Sequence, residues 1–185
     1  MIVVLNFGSQ VAHLICRRVR ELNVRCEVVP HTISASELSR LKPNGIILSG
    51  GPASVYETGA PKMDHRILDL AIPVLGICYG HQLIAKNMRG KVSQGLIKEY
   101  GKKVLDVKKK SVLLEGLAKK EDVWMSHGDA VIELPEEFEV VGSTDSCKIA
   151  AFEDNAKKIY GVQFHPEVVH TVNGMKVLSN FLFNA

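Results

Sequence analysis

The heptapeptide Gly76-Ile77-Cys78-Tyr79-Gly80-His81-Gln82 follows an apolar run and has the form G-x-C-x-G. Glycines two residues either side of a nucleophile leave room for the sharp strand-to-helix turn that projects the central side chain in G-x-S-x-G elbows. Here that side chain is a thiol, and the unpaired N–H groups and positive dipole end of a helix start favour its thiolate. A reactive cysteine at position 78 is expected, the alternative being a small core residue in a tight turn. A thiol nucleophile needs a proton acceptor. Gly161-Val162-Gln163-Phe164-His165-Pro166-Glu167 offers one. Pro166 disfavours helical backbone at His165, so the chain there is extended, with His165 and Glu167 to one side and Val162 and Phe164 to the other. His165 would then be the base and Glu167 its orienter; two polar surface residues at a strand end are the alternative.

Leu48-Ser49-Gly50-Gly51-Pro52 closes another apolar run. Active sites of open α/β sheets lie at the carboxyl ends of strands. Adjacent glycines let backbone N–H groups approach a ligand, so this loop offers one donor of an oxyanion hole at Gly51, with the Tyr79 N–H as the second. Ser-Gly-Gly also opens the phosphate loop of ATP pyrophosphatases, but an Asp-Ser pair continues that loop, and Pro52-Ala53-Ser54 stands here. The chain has neither G-x-x-x-x-G-K-[ST] nor G-x-G-x-x-G, so no nucleotide site is expected.

These segments need a scaffold that gathers strand ends. Ile2 to Phe7 reads as a buried strand. Val11, Leu14, Ile15, Val19 and Leu22 then line one helical face, with Arg17, Arg18, Arg20 and Glu21 on the other. Arg25 to Pro30 reads as a strand, Ser34 to Leu41 as a helix capped by Ser34 with Glu37 three residues on, and Gly45 to Leu48 as a strand. A helix from Pro61 to Leu70, a strand from Pro73 to Ile77 and a helix through about Asn87 follow. This alternation predicts parallel pairing with right-handed crossovers. Beyond Asn87, strand-like segments (Lys91 to Leu96, Lys102 to Val107, Val140 to Ser143, Ile149 to Glu153, Lys158 to Phe164) predict mixed or antiparallel additions, and Met175, Leu178, Phe181 and Leu182 form a closing helical stripe. The expectation is a single α/β domain over residues 1–185: an open, twisted, mostly parallel sheet flanked by helices, with added antiparallel strands.

Composition agrees with one globular domain: 185 residues, 46% apolar, 23% charged, net charge +3. Its apolar stretches fall short of the ~20 residues that a membrane-spanning helix needs, and no secretory leader is evident, so no membrane contact and a cytoplasmic address are expected. The lysine clusters (Lys102 and Lys103, Lys108 to Lys110, Lys119 and Lys120, Lys157 and Lys158) are scattered without interleaved aromatics, which argues against nucleic acid and for solvated faces or a docking face for an acidic partner. Cys16, Cys26 and Cys147 show no CxxC spacing and read as packing residues. The histidines His13, His31, His65, His81, His127 and His170 show no metal spacing, so no metal is expected.

Taken in order, Ser-Gly-Gly-Pro, G-x-C-x-G-x-Q and His-Pro-Glu resemble the class I glutamine amidotransferases over essentially the whole chain. Within that family the chain looks most like the glutaminase part of GMP synthases, through Phe7-Gly8-Ser9-Gln10, Arg17-Arg18-Val19-Arg20-Glu21, Trp124-Met125-Ser126-His127-Gly128-Asp129, Ser146-Cys147-Lys148-Ile149-Ala150-Ala151, and Val168 with His170-Thr171. Asn6 stands where an aspartate is usual in the family, and His81 where a methionine is frequent. The resemblance implies that Cys78 attacks the side-chain amide of L-glutamine, that His165 shuttles protons and that Glu167 orients it. It implies a thioester intermediate, oxyanion stabilisation by the Gly51 and Tyr79 amides, and glutamine held by Gly51, Gln82, Ser126, Gly128 and Asp129. It further implies no cofactor in this chain and, because the sequence stops at Ala185, a separate ATP pyrophosphatase (synthase) subunit that carries ATP and magnesium and aminates xanthosine monophosphate. Glutaminase activity is expected to be weak until that subunit docks. A glutaminase for anthranilate or carbamoyl phosphate synthesis is the rival enzyme reading, and a catalytically silent regulatory module is the rival from another class.

Overall fold

Runs of β-branched and leucine residues build the centre of the sheet. A computed structural model of the protein describes residues 1–95, 97–108 and 110–185. Ile2–Asn6 (β1) is followed by the amphipathic helix Val11–Glu21 (α1), which lays Ala12, Ile15, Cys16 and Val19 on the sheet. Cys26–Pro30 (β2), the short helix Ala35–Arg40 (α2) and Gly45–Leu48 (β3) complete the first winding. Ser34 caps α2 as its spacing to Glu37 predicts: the Glu37 N–H donates to the Ser34 hydroxyl and the Ser34 N–H to the Glu37 carboxylate. Val74–Ile77 (β4) leads into Tyr79–Asn87 (α3). Lys91–Ser93 (β5), Glu99–Val107 (β6), Lys120–His127 (β7), Ala130–Glu133 (β8), Glu139–Ser143 (β9), Ala151–Asp154 (β10) and Ile159–Val162 (β11) follow, and the helix Gly174–Asn184 (α4) closes the chain.

Among the described residues, nine strands form one sheet in the order β2-β1-β3-β4-β11-β10-β9-β6-β7, and β5 and β8 pair separately. From β2 to β11 every neighbour is parallel; from β11 outward the pairs are antiparallel. Parallel strands must be covered on both faces. Two apolar layers do so, one containing Ile15, Ile47, Leu75 and Phe181, the other Leu5, Ile46, Leu48 and Ile84.

The α/β architecture with antiparallel additions is as expected, and four details differ. The helix expected from Pro61 to Leu70 is a single 3-10 turn, His65–Asp69. Asp64 caps that turn through the Arg66 N–H and also accepts from the Ala35 N–H; Met63, Ile67 and Leu70 reach the core at helical spacing without a helix to carry them. Strands β7 and β8 are not announced by the residue pattern. The inward side of β7 is Glu121, Val123, Met125 and His127, and its two polar members break the apolar alternation. The strand expected from Lys91 to Leu96 ends at Ser93. Leu96 and Lys109 lie outside the described residues.

The parallel arrangement places the ends of β3, β4 and β11 side by side. Gly80 makes this possible: a β-carbon there would meet the Leu48 carbonyl oxygen and lie 2.7 Å from the Leu48 Cβ. Both contacts belong to the buried end of β3, which has no room to retreat. Gly80→Ala should cost about 3 kcal/mol, the upper part of the usual overpacking range. That corresponds to a fall of roughly 6–12 °C in melting temperature for a chain of this length, measured by thermal denaturation.

Candidate active site

Cys78 stands alone between β4 and α3, with φ 53° and ψ −103°. Few side chains other than glycine tolerate a positive φ, and residues held there cluster at functional sites. Two hydrogen bonds fix the bend: the Cys78 N–H donates to the Val162 carbonyl at 2.9 Å, and its carbonyl accepts from the Gln82 N–H at 3.2 Å. Gly76 and Gly80 let the turn close, since a β-carbon on Gly76 would fall 2.6 Å from the Gly80 carbonyl carbon. Only 5% of the Cys78 surface is exposed, but the side chain lines a cleft and its sulfur lies 3.6 Å from the Ser126 carbonyl oxygen.

Beyond the end of β11 the His165 N–H donates to the Trp124 carbonyl at 3.0 Å, and the Thr171 hydroxyl donates to the His165 carbonyl at 2.6 Å. The ring is thereby aimed at the elbow. A β-carbon on Gly50 would lie 3.1 Å from the His165 Cε1 and 3.6 Å from the Cys78 Cβ, so both side chains converge on the same glycine. His165 Nδ1 lies 2.7 Å from the Glu167 Oε1. A carboxylate accepts, so Nδ1 carries the hydrogen and Nε2 is left for the sulfur. Glu167 is fully buried. Its backbone carbonyl accepts from the Arg18 Nε at 3.0 Å, which ties the turn to α1.

All the residues singled out from sequence except Glu167 line one cleft of about 440 Å³, namely Gly51, Cys78, Tyr79, Gln82, Ser126, Gly128, Asp129 and His165. Glu167 sits behind the imidazole. Both N–H groups of the Gln82 amide are used within the chain, toward the Asp129 carbonyl at 2.8 Å and the Gln163 Oε1 at 3.2 Å. Asp129 Oδ1 accepts from the Gly95 N–H, whereas its Oδ2 has no partner among the described residues. Motif spacing does not reveal Glu57, Tyr100 and His127, which also line the cleft. His127 does stand in the quoted segment Trp124 to Asp129, between two residues assigned to the site, but nothing in the sequence marks Glu57 or the exposed ring of Tyr100.

The two residues that depart from the family pattern have local roles. Asn6 Oδ1 accepts from the Gly8 and Ser9 N–H groups, shaping the turn into α1. His81 stacks on Phe152 with ring centroids 4.5 Å apart, and its Nε2 lies 3.2 Å from the Ile149 carbonyl oxygen. Burial pushes the His81 pKa down to about 3, so it packs as a neutral ring. Among the described residues, one cluster has the side chains to hold a metal: ligand atoms of Glu99, His127 and Cys147 converge within 4.8 Å. The Glu99 oxygens already meet Thr144, Ser146 and His127, and burial pushes the Cys147 thiol up to about 12, which suits a hydrogen-bond network rather than an ion cage.

Burial alone would strip the proton from His165, but the Cys78 and Glu167 side chains beside the ring outweigh it and raise its pKa to about 11. The sign of the stability effect follows. A histidine titrating near 6.5 unfolded and near 11 folded contributes fully below pH about 6.5 and loses that contribution as pH rises toward 11. Compared with a His165→Asn, Glu167→Gln double variant, the wild-type protein should show its largest melting-temperature advantage near pH 6. Thermal melts across pH 6–11 should show that advantage shrinking.

Comparison with known proteins agrees with this geometry. The family model for glutamine amidotransferase class-I matches residues 3–185. A GMP synthase [glutamine-hydrolyzing] from Caldicellulosiruptor saccharolyticus is 52% identical over 184 residues, 100% of this chain and 36% of that protein. The corresponding protein of Clostridium novyi is 50% identical over 183 residues, 99% of this chain and 36% of its own length. The chain therefore spans about a third of the curated relatives it matches. Among solved structures, a candidate GMP synthase subunit from Thermoplasma acidophilum superposes with a TM-score of 0.87 at 34% identity, covering 98% of this chain and 91% of that one. A Thermotoga maritima glutamine amidotransferase shares the fold, with a TM-score of 0.78 at 18% identity over 99% of this chain and 96% of its own. By the family match along nearly its whole length, this chain belongs to the class I glutamine amidotransferases.

Proposed function

We propose that the chain hydrolyses L-glutamine at Cys78 and passes the ammonia to a separate synthase subunit that converts xanthosine monophosphate to GMP. The observation carrying this reading is the meeting of a thiol on a positive-φ elbow with a histidine held 2.7 Å from a buried carboxylate, at one cleft wall. In the first step the Cys78 sulfur bonds to the amide carbon of glutamine and the carbonyl oxygen takes up negative charge. His165, protonated, gives its Nε2 proton to the departing nitrogen; the C–N bond breaks, ammonia leaves and a thioester remains. His165 then accepts a proton from water, whose oxygen attacks the thioester carbon. Breaking the C–S bond, with return of that proton to sulfur, releases glutamate. Glu167 keeps the ring in one tautomer throughout. The Gly51 and Tyr79 amides are assigned to the developing oxyanion, a role typically contributing about 100- to 1000-fold per donor.

Substrate selection is assigned to Asp129 and Gln82, with Ser126, Gly128 and Gly51 shaping the pocket. Asp129 Oδ2 lacks a partner in the described chain, and the α-ammonium of an amino acid would supply one. Similarity to GMP synthases, and to the structure of a candidate GMP synthase subunit that this chain covers almost completely, supports a synthase partner, to which we assign the ATP and magnesium of the amination. No helix among the described residues is long and apolar enough to cross a membrane; the four cysteines are free, in keeping with our assignment to the cytoplasm.

Cys78→Ala should reduce ammonia release to background while leaving the melting curve close to wild type. Asp129→Asn should raise the KM for glutamine by about 10- to 100-fold, the value of a lost charge-assisted hydrogen bond. Ammonia release assayed with the synthase subunit, xanthosine monophosphate and ATP checks both. Persistence of glutamine hydrolysis in Cys78→Ala would overturn the assignment.

A further inference from the structure

Beneath the turn 126–129 lies a buried polar network that the mechanism above does not use. The side chains of Glu99, on β6, and His127, at the end of β7, are 0% and 1% exposed, and His127 Nε2 lies 3.1 Å from Glu99 Oε2. The Thr144 and Ser146 hydroxyls donate to the other carboxylate oxygen at 2.7 and 2.6 Å. On its far side His127 Nδ1 lies 2.8 Å from the Asp129 carbonyl oxygen. A carbonyl can only accept, so Nδ1 bears a hydrogen. Nε2 then faces a carboxylate, and two lone pairs do not sit stably at that distance. A second proton therefore lies between them. Burial works against ionising Glu99, but donors from Ser146, Thr144 and His127 outweigh it and hold its carboxyl below the usual range. Burial lowers the His127 pKa despite the Glu99 and Asp129 contacts that raise it, but an acceptor stands at each ring nitrogen and a neutral ring would set a bare Nε2 against the carboxylate, so the contact geometry places the proton on the ring. His81, His165 and Cys147 are the other titratable groups facing this pair.

The consequence falls on Asp129. Its carbonyl receives both the His127 ring and the Gln82 amide, each at 2.8 Å, and its Oδ1 receives the Gly95 N–H. These bonds orient the carboxylate of Asp129, a residue of the cleft wall whose Oδ2 is itself buried and has no partner among the described residues. We infer that Glu99 and His127 act as a positioning pair that sets the affinity for glutamine through Asp129 without taking part in the chemistry at Cys78. The inference rests on the glutaminase reading and adds two residues to it that touch no reacting atom.

Glutamine protection of Cys78 against iodoacetamide gives a direct test on the full chain without its partner. Glu99→Ala should raise the half-protecting glutamine concentration about tenfold or more, while the alkylation rate without glutamine stays within twofold of wild type. Glu99→Gln should restore wild-type protection to within threefold, because the glutamine amide can donate to a neutral His127 and leave Nδ1–H on the Asp129 carbonyl. With the synthase present, the same split should appear as a raised KM with kcat little changed. Ser146→Ala, at an exposed position, removes one donor to Glu99 with little risk to folding and should weaken protection two- to fivefold. Unshifted protection in Glu99→Ala or, should that variant not fold, in Ser146→Ala would overturn the inference. So would a Glu99→Gln protein as weak as Glu99→Ala, or a parallel loss of alkylation rate. Failure of glutamine to protect even the wild-type thiol would instead sink the glutaminase reading itself.

Discussion

The structure turns on one strained residue. Cys78 occupies a backbone conformation that its side chain disfavours, and a cost of order 1–3 kcal/mol has to be met by its surroundings. They meet it through packing that permits little else. Its N–H is bonded to the end of β11, its carbonyl starts α3, and Gly76 and Gly80 admit no side chain without collision. The register of β4 between β3 and β11, Leu48 beside Gly76 and Val162 beside Ile77, brings the Gly50 loop and the histidine segment to the same level as the sulfur. A one-residue slip in either pairing would turn those strand ends to opposite faces. Sheet register is thus a condition of the chemistry as well as of stability.

Charge in a buried site imposes a second condition. His165 and Glu167 are almost entirely enclosed, where an isolated charge would be driven to neutrality. Their 2.7 Å contact makes the pair tolerable, and its position is held from outside the site. Arg18 reaches from α1 to the Glu167 carbonyl. Gly174, at the start of α4, packs so closely on Pro166 that a β-carbon would strike the Pro166 carbonyl oxygen. The two helices that cover one face of the sheet therefore also clamp the segment that carries His165.

Much of this was legible in the residues. The elbow, the glycine loop and the histidine segment announce themselves because each demands unusual backbone, and glycine and proline mark such places. Strands β1, β3 and β4 were equally visible, since parallel strands covered on both faces read as unbroken apolar runs. What escaped was polar and inward. Strand β7 hides Glu121 and His127 among its buried positions, so its alternation of hydrophobic residues fails where it matters most. Glu99 looks like any surface carboxylate until Thr144 and Ser146, from the loop after β9, and His127, from the end of β7, are brought around it. No local pattern encodes that meeting. The false helix at Pro61 has the opposite cause: the spacing of Met63, Ile67 and Leu70 satisfied a helical period, while Asp64, engaged as a cap to the next turn, delayed helical geometry past the point where a full helix fits.

The division of labour follows the division of the sheet. The proposed nucleophile, base and oxyanion donors come from the parallel half, where strand ends are forced into line by crossover helices. Of the residues assigned to the substrate, Gln82 and Gly51 also come from that half, whereas Ser126, Gly128 and Asp129 come from the antiparallel extension and reach the same cleft only because β7 runs back toward Cys78. These two groups touch at few points, chiefly the sulfur near the Ser126 carbonyl and the Gln82 amide on Asp129. Small shifts of the 126–129 turn can therefore change how substrate sits without disturbing the elbow. The extension is also the more exposed part of the site, since β6 carries the exposed Tyr100 and Val104 while β3, β4 and β11 lie buried in mid-sheet.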